Sequence, residues 1–254
     1  MADHDLEAIR QLLEHCSADE RRTLFKELAN NHHIHEYEKV VGAPAEMILE
    51  AIHRAPELTR RMLRGVIADA AFAKFIVPGL VQTGWADATP EGNFAYDYKM
   101  RDHVGDVTVQ VKLQRSEKGQ PAERRGGRYG FNEKVYLCET QKTRTGTDDK
   151  EEKTRPYRYG EFDILAVSMQ PSTGRWDKYM YTVGKWLLQG KNPNEIAVMQ
   201  PVEKISTGFW ADDFDVAVNW FRSEYGDKRI KVTPPSVKLK APAKRKPVAK
   251  KAQK

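Results

Sequence analysis

From Asp3 to about Asn30 the apolar positions Leu6, Ile9, Leu12 and Leu13 recur at helical spacing, and the stretch predicts two helices. The second starts at a capping box, Ser17-Ala18-Asp19-Glu20, in which hydroxyl and carboxylate each satisfy a free backbone donor. A further helix is predicted over Ala45–His53. Pro56 suits the first turn of a longer one, which is expected to end before Pro78-Gly79. Beyond residue 90 the pattern changes to strict alternation. Phe94, Tyr96, Tyr98 and Met100 alternate with Ala95, Asp97, Lys99 and Arg101, then Val107, Val109, Val111 and Leu113 with Thr108, Gln110, Lys112 and Gln114. Two strands joined by a short turn at His103–Asp106 follow from that pattern. Further strands are predicted at Lys134–Thr140, Glu161–Met169, Lys178–Val183 and Glu195–Met199. A last helix is predicted over Asp212–Glu224, with Asp212, Asp213 and Asp215 in its first turn, where the helix dipole favours acids. The order of elements predicts an α/β (α+β) protein: a helical segment over residues 1–55, a core over 56–227, and a tail over 228–254.

Charge sharpens the division. The chain of 254 residues carries a formal net charge of +6, but the stretch from Lys228 onward holds eleven basic residues and no acid. The remainder is therefore mildly acidic, and the basicity belongs to a Lys/Ala/Pro-rich tail with almost nothing to bury, expected to be disordered. No uninterrupted run of 18 apolar residues occurs, so no membrane contact is expected. Cys16 and Cys138 lie far apart without CxxC spacing, which argues against a disulfide framework or thiolate zinc site and fits the cytoplasm. No glycine-rich phosphate loop is present, so no nucleotide cofactor is expected.

The chemistry gathers in residues 94–115. A lysine on an otherwise apolar strand costs desolvation unless something negative receives it, and a hairpin can bring Asp97 beside Gln110 and Lys112. A carboxylate next to a lysine suits phosphodiester hydrolysis: the acid holds a divalent cation, and the lysine positions or activates water. The same pair could also be an ordinary cross-strand ion pair on a solvated face. Upstream, Asp69 falls on the apolar stripe Met62, Val66, Ala73, Ile76 of the long predicted helix. Asp106 shares the Gln110–Lys112 face and is the alternative metal ligand, although its place after Gly105 suits a turn.

A helical acid, a strand aspartate and a strand bearing Gln110-Val111-Lys112 together resemble the PD-(D/E)xK nuclease superfamily, in its restriction-endonuclease-type and Mrr-like members with glutamine in the motif. The resemblance spans about residues 57–170. It departs from the pattern where Tyr96 stands in place of proline and neutral Gln110 in place of a second carboxylate. It implies a restriction-endonuclease-like core with a central mixed sheet flanked by helices. It also implies catalytic roles for Asp97, Gln110, Lys112 and Asp69, with Asp97 and Asp69 as ligands of Mg2+. The implied function is a type II restriction endonuclease acting on double-stranded DNA, with symmetric cutting by two active sites met by a homodimer. The alternatives are a non-catalytic DNA-binding protein on the same fold, or a repair or junction-resolving nuclease. Basic residues in two loops, Arg115, Arg124, Arg125 and Arg128 with their glycines, then Lys142, Arg144, Arg155 and Arg158, are the expected DNA contacts.

Overall fold

In the computed structural model, which describes residues 2–31, 35–142, 156–223 and 228–232, the change of period near residue 90 separates a helical stretch from a sheet-rich one. The chain forms two compact units, Met1–Arg64 and Gly65–Lys254, so the division falls inside a helix rather than ahead of it. The first unit holds α1 (Ala2–His15), α2 (Ala18–Asn31), α3 (Tyr37–Val41), α4 (Ala45–Arg54) and the start of α5 (Glu57–Ala71). The capping box forms: Glu20 Oε2 accepts from the Ser17 amide at 2.8 Å, and Ser17 Oγ accepts from the Glu20 amide at 3.3 Å. Gly42 closes α3 at φ 69°, a left-handed turn that places its N–H on the Glu38 carbonyl. Among the described residues of this unit only Glu38 is buried. Its helices therefore draw little stability from a core of their own.

In the second unit α5 passes into a π turn, Phe72–Ile76, and then α6 (Val77–Gln82). The helix thus runs through Pro78 instead of stopping before it. The wider turn resets the ladder, so the proline falls in the first turn of α6, where a missing N–H is tolerated. By length and composition the continuous run Glu57–Gln82 is apolar enough to cross a bilayer, although the sequence lacks an unbroken apolar stretch of that length. In this fold Ala68, Ala71, Phe72 and Leu80 of that run are buried.

The protein is mixed α+β. Its central sheet has five strands, β1 (Ala86–Asp87), β2 (Tyr98–Arg101), β3 (Asp106–Leu113), β8 (Ile164–Ser168) and β9 (Tyr179–Val183), in that order. Only β3 and β8 run parallel; the other pairs are antiparallel. Shorter strands β4 (Ser116–Glu117) and β5 (Gln120–Pro121) make a hairpin. A second antiparallel sheet has the order β10 (Met199–Val202), β7 (Lys134–Glu139), β6 (Glu123–Arg125). The helical turn α7 (Gln170–Thr173) follows β8, and α8 (Phe214–Arg222) closes the described fold.

Two cores result from strand alternation. On one, Val107, Val109, Val111, Ile164, Ala166 and Val183 pack with Phe72, Leu80 and the α8 residues Phe214, Ala217 and Val218. On the other, Leu165, Val167 and Met180 pack with Val135, Cys138, Tyr157, Phe162 and Val202. The acids at the start of α8 have separate duties. Asp213 caps it by accepting from the Val216 amide at 3.0 Å, and Asp215 accepts from Trp85 Nε1 at 2.9 Å. Arg222 at its other end grips Asp102 in the hairpin turn through two bonds of 2.7 Å.

Three expectations need correction. Strand β2 begins at Tyr98, not Phe94, because the Val111 amide is taken by the Asp97 carboxylate at 2.7 Å and the backbone ladder ends there. The strand predicted over Glu195–Met199 lies further on, at β10, because Asn192 and Glu195 form a turn: the Glu195 amide reaches the Asn192 carbonyl at 3.1 Å. The tail does not begin at Lys228. The Ile230 amide donates to the Trp186 carbonyl at 2.8 Å, and Ile230 is 1% exposed. Lys228 Nζ lies 4.5 Å from the ring centroids of both Trp186 and Phe209 and donates to the Gly208 carbonyl. The stretch 233–254 lies outside the described residues.

This packing sets the truncation limit. A chain ending at Val232 should melt with the full-length protein, whereas Ile230→Ala should cost about 2–5 kcal/mol, as for buried isoleucines generally. Denaturant unfolding of the three proteins measures the difference, and an unchanged midpoint for Ile230→Ala would refute the packing.

Candidate active site

Lysine 112 sits near the end of β3, on the same side of the strand as Gln110, as alternation demands. Its pKa is lowered by burial, against which the charges of Asp97, Cys138 and Asp69 pull upward. No hydrogen bond or ion pair involving its ammonium occurs among the described residues; Nζ lies 5.2 Å from the centroid of the Tyr157 ring. Asp97 immediately precedes β2, and its own amide donates to the Val109 carbonyl at 2.9 Å. Its Oδ2 accepts from the Val111 amide and from Gln110 Nε2. Burial raises the Asp97 pKa, Asp69 adds to the rise, and Lys112 and the two hydrogen bonds oppose it.

Asp69 is brought to this cluster by the helix, and two tyrosines of the sheet fix the helix there. Tyr98 OH donates to the Asp69 carbonyl at 3.0 Å, and Tyr179 OH to the Ala68 carbonyl at 2.7 Å. The Asp69 carboxyl is pushed up by burial, against the Tyr98 hydroxyl and the charge of Lys112. Its Oδ1 is buried without a hydrogen-bond partner among the described residues. The four residues picked from the sequence as catalytic therefore converge. Gln110 does so in an unexpected sense: its amide nitrogen, not its oxygen, faces Asp97, and its Oε1 accepts from Tyr157 OH at 3.0 Å.

Asp106, the alternative ligand, is not part of the cluster. It lies at the hairpin end, held by Lys99 at 2.7 Å and Arg101 at 2.5 Å, and these cations keep its carboxyl well below the ordinary range. The first arginine loop is partly strand. Arg124 and Arg125 belong to β6, paired with β7. Gly126 is there for close packing, since a Cβ would meet the Glu133 carbonyl oxygen at 1.8 Å. Arg115 is tied to Glu139 at 2.9 Å, and Arg115 and Arg124 both reach Glu117. With the exposed Arg128 and with Tyr129 they line a cavity of about 440 Å³. Lys142 pairs with Glu161 at 2.6 Å and lies 5.4 Å from the Tyr157 ring centroid, at the edge of the cluster. Arg158 is partly buried and its backbone pairs with that of Glu195 in an isolated antiparallel bridge, while Arg144 and Arg155 lie outside the described residues.

The sequence reading missed Tyr157, Tyr98 and Tyr179. Tyr98 stood in a recognised strand next to Asp97, so its hydroxyl was in reach of the inference. Tyr157 had no local signal: it arrives from 47 residues beyond Gln110.

No family model matches the chain. No curated protein matches it either. Among solved structures, a bacterial homing endonuclease, I-Ssp6803I, aligns with 23% identity and a TM-score of 0.31, over 49% of this chain and 69% of that one. At that level of similarity its activity is a property of that protein.

The burial of the acids gives a sign to test. A carboxyl whose folded pKa is raised binds its proton more tightly in the folded state. Stability is then greatest below the ordinary carboxylate range and falls as pH rises through the raised value. Asp69→Asn removes that loss. In chelator the variant should melt above wild type at pH 7–8, with the gap closing below about pH 4, where the unfolded-state carboxyl is also protonated. Each kcal/mol recovered is worth about 2–4 °C in a domain of this size. A lower melting temperature for the variant across the whole range would mean that Asp69 is a structural acid.

Proposed function

We propose that the chain is a metal-dependent endonuclease that hydrolyses phosphodiester bonds in double-stranded DNA, of the type II restriction kind. The observation that carries this reading is the convergence of Asp97, Asp69 and Lys112, together with a buried carboxylate oxygen, Asp69 Oδ1, that has no hydrogen-bond partner among the described residues. Such an orphan acceptor costs on the order of 1–3 kcal/mol, and a fold that keeps it has a use for it.

The donor set fits a hard cation. Mg2+ takes one or two carboxylates and fills the remaining positions with water and phosphate oxygens, which is what a pair of buried acids offers. Among the described residues no three or more His, Cys, Asp or Glu converge, so an all-protein cage of the zinc kind has less support. When bound, such an ion polarises the phosphate and lowers the pKa of the attacking water. Asp97 and Asp69 are the residues that would hold it. Lys112 has its ammonium free of hydrogen bonds and desolvated, and so donates to the attacking water or to the phosphate oxygen on which charge grows. Gln110 holds Asp97 rather than the ion.

Duplex DNA is the proposed partner, met by the exposed Arg125 and Arg128 and by Arg115, Arg124 and Lys142, whose carboxylate partners exchange for phosphates. Cutting both strands symmetrically needs two such sites, hence a homodimer. A cytoplasmic setting accords with Cys138, a buried free thiol.

Supercoiled plasmid incubated with Mg2+, with and without chelator, tests the proposal directly. Wild type should convert it to linear or nicked forms only when the cation is present. Lys112→Ala and Asp97→Ala should each lower the rate by roughly 10²–10³-fold or more while leaving DNA affinity within a few-fold. Cleavage at the wild-type rate by either variant would sink the assignment. Asp106→Asn serves as the comparison and should cut normally, since its carboxylate is committed to Lys99 and Arg101.

A further inference from the structure

Tyr157 is 4% exposed and packs edge-on against Phe162, with ring centroids 5.3 Å apart. A phenylalanine would fill that space equally well, so the hydroxyl calls for its own explanation. A buried hydroxyl costs free energy unless it is bonded, and among the described residues this one has a single hydrogen bond, to Gln110 Oε1 at 3.0 Å. Its backbone is held as well, because the Tyr157 carbonyl accepts from the Ile196 amide at 2.8 Å.

The two ends of an amide are not equivalent: nitrogen donates and oxygen accepts. Gln110 Nε2 donates to Asp97 Oδ2 and to the Val111 carbonyl at 3.2 Å. Turned over, the amide would set its oxygen against a carboxylate and a carbonyl, acceptor against acceptor. The Tyr157 hydroxyl completes the arrangement by donating to the end that has only acceptor capacity. Among the described residues both hydrogen bonds that the Asp97 carboxylate receives, from Gln110 Nε2 and from the Val111 amide, fall on Oδ2, and none falls on Oδ1. The same aromatic ring carries the ammonium groups of Lys112 and Lys142, at 5.2 and 5.4 Å from its centroid.

We propose that Tyr157 is the positioning residue of this site. Its hydroxyl fixes the Gln110 amide so that only Oδ2 of Asp97 is engaged and Oδ1 stays free for a ligand, while its ring face seats Lys112. Burial pushes the phenol pKa well above its ordinary value, so the group remains a neutral donor at any pH in which the protein works. The role rests on the nuclease reading for its catalytic consequence, but not for the hydrogen-bond chain itself.

The test uses the full chain and Tyr157→Phe, which keeps the ring and loses only the hydroxyl. The first readout needs neither metal nor DNA. In the 15N-labelled protein the side-chain amide resonances of Gln110, assigned by their absence in Gln110→Leu, should exchange slowly with water in wild type and markedly faster in Tyr157→Phe. The second readout is plasmid cleavage at saturating Mg2+: kcat should fall on the order of 10–100-fold, the range for partners that orient a ligand residue, with KM for DNA within about twofold of wild type. Gln110 resonances unaffected by the substitution, or altered resonances with kcat at the wild-type value, would each overturn the positioning role. If wild type itself cuts no DNA, the nuclease reading fails, and the amide resonances still decide whether Tyr157 holds Gln110.

Discussion

The desolvated ammonium of Lys112 on β3 is the constraint around which the rest of the second unit is arranged. A buried cation is tolerated only when opposite charge and polarisable surface surround it. Here each comes from a different part of the chain: Asp97 through the hairpin, Asp69 through the helix, and the Tyr157 ring from a later segment. Strand β3 can host this because it is interior to the sheet, antiparallel to β2 on one side and parallel to β8 on the other. Its apolar alternates, Val107, Val109 and Val111, anchor one core, and the polar alternates Gln110 and Lys112 are left to face the site.

Precision at the site depends on hydroxyls that act at a distance from Lys112. Tyr98 and Tyr179 bond two successive carbonyls of α5, at Asp69 and Ala68, so the helix is registered to the sheet at the turn bearing the acid. The π turn begins only a few residues later, at Phe72, and lets the helix continue over the sheet despite Pro78. A slip of one residue there would carry Asp69 about 100° around the helix and away from the cluster.

What could be read from the sequence follows from how local the information is. The strand β3 and the hairpin were legible because alternation over residues 107–114 is unbroken, and the start of α8 because Asp212, Asp213 and Asp215 crowd around it. The placement of Asp97 beside Gln110 and Lys112 was legible from residue type and spacing, whereas bringing Asp69 to them rested on the resemblance to the nuclease superfamily. The sense of the Gln110 amide was not, because it is decided by Tyr157, far away in sequence and without a pattern of its own. The start of the tail was misjudged because composition averages over a window: eleven basic residues conceal one isoleucine, Ile230, that the core claims. The arginine stretch read as a loop for a similar reason, since Gly126 looks the same in sequence whether it opens a loop or permits a close approach to Glu133.

The buried cluster unites two acids with one base, so when all three are ionised it carries one negative charge in excess. Under the proposed function this makes the empty site repulsive to a polyanion and the metal-loaded site attractive to it. Cation and DNA then bind with positive cooperativity, and by reciprocity the factor by which the ion strengthens DNA binding is the factor by which DNA strengthens ion binding. A nuclease built this way stays poorly loaded at modest ion concentrations until its substrate is in place, so the charge balance of three side chains acts as a safeguard on when the chemistry can begin.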